Sequence, residues 1–193
     1  MGWSRVGFVV GQLGVWAGVV GVVVGGLILV YPAAVAEGVY SYPFGAGAFA
    51  GVQVVLMVRD FVLALVLLGV GLSGAVGRSR AGWVGVVGSG LAMVGLAVLE
   101  VASVVARTRF GGVYGVLSLM VGVSAIVGGV AVVRARVWGG WQRFLLLGVG
   151  VYVFVPMTPG ILAGPVGEQL AIAGWMVVFA VLGGVVAARS RHA

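Results

Sequence analysis

Long apolar runs, broken by short polar or glycine–proline interruptions, set the pattern of this chain. A bilayer core of roughly 30 Å takes about 20 helical residues. Six runs meet that test: 6–32, 50–76, 82–105, 112–133, 141–157 and 168–188. The pattern predicts an all-α fold, a polytopic membrane helix bundle of about six transmembrane helices, with residues 1–193 as a single transmembrane domain. Connections are short, so successive helices are expected to be antiparallel neighbours. The fifth run is the shortest and is expected to end at Pro156-Met157-Thr158-Pro159-Gly160, with a turn at Gly164-Pro165. Near the start, Arg5, an apolar run and Ala34-Val35-Ala36 imitate a signal peptide with its cleavage site. The run from Val6 to Val30 is too long for a signal segment and long enough to span, so it is read as the first transmembrane helix.

Composition strengthens this picture. The chain is 62% hydrophobic and 8% charged, whereas ordinary soluble domains are about half apolar and about a quarter charged. A soluble fold of this size has no core large enough to hide so much apolar surface. The lipid bilayer is therefore the expected surroundings, and the inner (plasma) membrane the expected location. Glycine is abundant, 37 residues in all, and recurs in small-xxx-small spacing such as Gly14 with Gly18, Gly21 with Gly25 and Gly111 with Gly115. Such spacing lets backbones approach closely in lipid and argues for a tight bundle. It also leaves open a homo-oligomer formed through the glycine-rich faces.

Charge then orients the bundle. The net charge of +7 comes from eleven arginines, no lysine and four acids. With both termini cytoplasmic, Arg5, Arg78, Arg80, Arg134, Arg136, Arg143, Arg189 and Arg191 fall inside, and only Arg107 and Arg109 fall outside. The arginines flank apolar segments and do not form a basic groove interleaved with aromatics, so nucleic acid is not an expected partner. Two inner loops look alike, Arg78-Ser79-Arg80 before Trp83 and Arg134-Ala135-Arg136 before Trp141, as interfacial Arg and Trp would produce without any duplication. There is no cysteine, and the one histidine, His192, is penultimate and expected in solvent. No metal site and no cofactor are expected from these counts.

The candidate chemistry lies in three ionisable residues within spans: Arg59 and Asp60 in the second helix and Glu100 in the third. Such groups are costly in lipid and mark functional sites. Arg59 and Glu100 are equidistant from the turn at Ser79-Arg80, so an antiparallel hairpin sets them at one level, in the outer half of the bilayer. Gln53, Met57 and Asp60 share one helical stripe, with Arg59 about 100° away. Either Arg59 pairs with Glu100 while Asp60 faces another cavity, or both carboxylates share the arginine. A buried pair that merely locks two helices is the plain alternative. An acid held protonated in an apolar pocket is a proton donor, and Asp60 is the expected one. Many aromatics cluster at this level, among them Tyr31, Tyr40, Tyr42, Phe44 and Phe49, as an interfacial belt would. Phe61 and Tyr114 are the better candidates for a pocket wall, where aromatic faces stabilise cations.

Three stretches carry a resemblance: Gly140-Trp141-Gln142-Arg143-Phe144, Tyr152-Val153-Phe154-Val155-Pro156-Met157-Thr158-Pro159 and Ile172-Ala173-Gly174-Trp175-Met176. In these the chain resembles a group of small actinobacterial membrane proteins. In size and in its sparse intramembrane acids it is more loosely similar to the small membrane-bound terpene cyclases of actinomycete meroterpenoid and indole-sesquiterpene pathways. No motif of those cyclases matches residue by residue, so the site roles rest on the charge argument alone. Together the readings lead to an integral-membrane, metal-independent cyclase that protonates a lipophilic prenylated small molecule. In that reading Asp60 is the acid, assisted by Glu100 and Arg59, with Gln53, Met57, Phe61 and Tyr114 lining the substrate site. The four acids are isolated from one another, which argues against an Asp-rich Mg²⁺ motif that ionises a diphosphate. The alternatives are a small transporter or proton-coupled membrane subunit, and a non-catalytic assembly partner.

Overall fold

The computed structural model describes residues 3–191, which leaves the expectation for His192 outside the described residues. Helix α1 (Trp3–Val30), α2 (Ala46–Leu72), α3 (Arg80–Val105) and α4 (Gly111–Ala135) are continuous. A 3₁₀ turn (Gly140–Phe144), α5 (Leu145–Tyr152), a π turn (Val153–Met157) and α6 (Thr158–Leu162) together make the fifth span, and α7 (Pro165–Ser190) is the sixth. Six helical stretches are thus long and apolar enough to cross a membrane, and the chain is read as a multi-pass membrane protein.

Local chemistry explains where the boundaries depart from expectation. Helix α2 stops at Leu72 although apolar residues continue to Val76, because Gly74 (φ 78°) and Gly77 (φ 59°) adopt left-handed conformations that reverse the chain. Ala75 and Val76 of that turn are fully buried, so the extra apolar residues serve the core and not the helix. Ser79 then caps α3 by accepting a hydrogen bond from the Gly82 N–H at 3.0 Å.

The fifth span does not end at Pro156. Proline removes an N–H, and its ring would press on the Tyr152 carbonyl in an α-helix. The chain widens into a π turn at Val153–Met157 and continues to Leu162. The Val153 carbonyl accepts both the Thr158 N–H and the Thr158 hydroxyl, the latter at 2.7 Å.

The helices pack in a closed order, α1 against α2, α2 against α3, α3 against α4, α4 against α5, and α7 against both α5 and α1. The longest seam joins α1 to α7. A side chain at Gly11 would strike the backbone of Gly183 and Ala187, and one at Gly18 would strike the Met176 carbonyl. Gly111 and Gly115, in contrast, face open space. Between α3 and α4, Gly85 lies against the backbone of Ser124 and Gly128. The Trp175 indole N–H donates to the Val149 carbonyl at 3.0 Å and ties α7 to α5.

The apolar core, including Leu63, Leu67, Val86, Val121, Leu146 and Phe179, lies toward the end of the bundle that carries the 73–79 turn. Toward the other end packing thins: none of residues 111–120 of α4 is buried, and none of α6. A folded loop covers that end. Phe44 of this loop and Phe49 in the first turn of α2 are buried against Tyr31 and Tyr40, and do not form a lipid-facing belt. Arg109 clasps this loop by donating to the Tyr40 carbonyl at 3.0 Å and to the Tyr42 carbonyl.

Candidate functional site

Where the packed half gives way to the thin half, α2, α3 and α4 bring a polar cluster together. Asp60 and Glu100, 1% and 5% exposed, point into the bundle. Arg59 sits one residue off the buried stripe of α2, and its long side chain folds back so that Nε donates to Asp60 Oδ1 at 2.8 Å. Arg59 therefore pairs with its own neighbour and not directly with Glu100. The hairpin register still holds in a weaker form, because Glu100 lies close enough to feel both charges of the pair.

Glu100 has a different partner. The Tyr114 hydroxyl of α4 donates to Glu100 Oε2 at 2.7 Å. Ser103, one turn along α3, donates to the Leu99 carbonyl at 2.9 Å and sets its own oxygen 3.4 Å from the Tyr114 hydroxyl. Gln53, buried two turns before Asp60 on the same stripe, comes up to both Glu100 and Tyr114. Met57 is half-buried on that stripe. Phe61 is 42% exposed and points out of the bundle, whereas Tyr114 turns inward with its hydroxyl on the acid.

Among the described side chains only Arg143 Nε is both sealed and without a hydrogen-bond partner. Asp60 and Glu100 are each held through one oxygen, by Arg59 and by Tyr114, with Gln53 alongside Glu100.

Of the residues singled out in the sequence, Gln53, Asp60, Glu100, Arg59 and Tyr114 come together, with Met57 alongside. Ser103 was not anticipated. Its signal was its position three residues after Glu100, on the same face of a helix otherwise lined by apolar and small residues. Among the described residues no three His, Cys, Asp or Glu side chains gather into a metal-binding group. No family model matches the chain, and no curated protein or solved structure is detectably similar to it.

Proposed function

We propose that this is a plasma-membrane protein with both termini cytoplasmic, in which Glu100, held by Tyr114, is an intramembrane general acid acting on a lipophilic molecule. The reaction class we assign is protonation-initiated, metal-independent cyclisation of a prenylated substrate. One observation carries the assignment: a buried carboxyl with a phenol hydrogen-bonded to one oxygen, beside a second carboxyl already engaged by arginine. The role of acid thereby moves from Asp60 to Glu100, while Asp60 and Arg59 set the charge beside it.

The chemistry balances without a co-reactant. The Glu100 proton adds to an alkene, whose π pair forms the new C–H bond and leaves a cation at the adjacent carbon. A second π pair of the substrate closes the ring. Loss of a proton to the Glu100 carboxylate forms the final alkene and restores the acid. Tyr114 stabilises the carboxylate between these steps by donating to Oε2. The net change is an isomerisation.

Membranes containing the protein, incubated with polyprenylated alkenes in D₂O, are expected to yield cyclic isomers carrying one deuterium on carbon. Positioned general acids contribute about 10²–10⁴-fold, so Glu100→Gln is expected to remove product by that factor while the protein stays folded. Undiminished deuterated product from the folded variant sinks the proposal.

A second reading, proton-coupled transport, is favoured by the π turn at Val153–Met157. It breaks the fifth span inside its length and not at its end, as the broken helices of transporters do. Proteoliposomes loaded with a pH-sensitive dye separate the two: Glu100-dependent proton flux without product would favour transport.

A further inference from the structure

At the opposite end of the bundle, away from the acids, a hollow of about 480 Å³ is lined by Val133, Arg134, Arg136 and Arg143. We propose that it is a binding site for a phosphate-bearing anion, either a lipid headgroup or a soluble phosphate ester.

The site is built from two segments. Arg134 lies in the last turn of α4, where a cation complements the exposed carbonyls. Arg136 follows as the helix cap in a left-handed conformation (φ 53°) that a side-chain-bearing residue seldom adopts. The loop is fixed in that shape because Trp138, two residues on, is buried in the core. Arg143 comes from the 3₁₀ turn, its guanidinium 4.8 Å over the Phe144 ring. Its Nε is sealed and has no hydrogen-bond partner.

Three guanidiniums around one hollow repel each other, and among the described residues no acid side chain pairs with them. Glu37 and Glu168 lie at the other end and Asp60 and Glu100 within the bundle, so no side-chain carboxylate is at hand. Among the described residues the one ion pair is Arg59 with Asp60. Nearby, Arg189 donates through Nε and Nη2 to the Gln142 side-chain Oε1 at 2.8 and 2.6 Å. The three lining arginines have no such bond, and their planar forks match phosphate oxygens. Basic pockets between spans are where anionic headgroups bind.

The test uses the full chain in nonionic micelles, with unfolding temperature followed against added probe. Phosphatidylglycerol is expected to raise it saturably and phosphatidylcholine not to. Inorganic pyrophosphate at matched ionic strength separates the sources: saturation by the lipid alone assigns a headgroup, and saturation by pyrophosphate as well assigns a soluble phosphate ester. The R134Q/R143Q double variant is expected to weaken the effective probe about tenfold. R78Q/R80Q, which removes the same charge from the other loop, is expected to weaken it by less than about threefold. Equal losses in the two doubles mean diffuse surface charge and overturn the proposal, as does the absence of any saturable shift. Should R134Q/R143Q fail to fold, R134K/R143K keeps the charge and removes the fork. Affinity unchanged in that folded variant also overturns the proposal.

Discussion

Two junctions hold helices together here by opposite means. Along α1 and α7, glycines remove side chains so that backbones touch, and packing does the joining. Where α2, α3 and α4 meet, Arg59, Asp60, Glu100 and Tyr114 put two ion-paired charges and a phenol-bound acid into the interior. The first kind of junction needs no charge and recurs between α3 and α4 themselves, at Gly85 against Gly128. Helices α3 and α4 are therefore already joined before Glu100 and Tyr114 meet across them. Because glycine already joins α3 to α4, the contact of Glu100 with Tyr114 is not needed to hold these two helices together, which supports the chemical role proposed for it.

The largest expected effect tests whether that is so. Asp60→Ala leaves Arg59 buried without its carboxylate and should cost about 3–5 kcal/mol in detergent unfolding, whereas Arg59→Met with Asp60→Leu should be near neutral. If the double replacement is as damaging as the single one, the charges of α2 are needed for the fold itself and the contrast collapses. Next, Gly11→Val at the seam drives a branched side chain into the α7 backbone. Overpacking of this kind costs about 1–3 kcal/mol, measured by the same melts. Gly25→Ala, where a methyl would make ordinary contact with Ala173 at 3.7 Å, should be tolerated. Equal losses at Gly11 and Gly25 would show that backbone contact is not what the seam depends on. The smallest effect sharpens the other side: Tyr114→Phe removes one hydrogen bond and should cost about 1 kcal/mol, with a larger loss of product formation than of stability.

The fold could be read from the sequence because six apolar runs of spanning length leave few alternatives in lipid. What the runs could not show was where a helix stops within apolar sequence. The left-handed glycines at 74 and 77 end α2 early, and the π turn carries the fifth span past Pro156. Both depend on backbone geometry to which hydropathy is blind. The site was readable as a set of levels and not as a set of partners. Arg59 and Glu100 do share a level, but a long flexible side chain chose the nearer carboxyl, and the tyrosine that took the other came from a helix the hairpin register did not include.

Arg109 sits at the end of the bundle that holds only Arg107 and Arg109 outside the spans, against the charge bias of the rest of the chain. Its guanidinium is spent on the carbonyls of Tyr40 and Tyr42, in a loop between an earlier pair of helices. The clasp can form only after both hairpins have formed and their connecting loops have met. Arg109 is thus a cation whose place is earned by assembly: it joins the first two helices to the next two once all four are inserted.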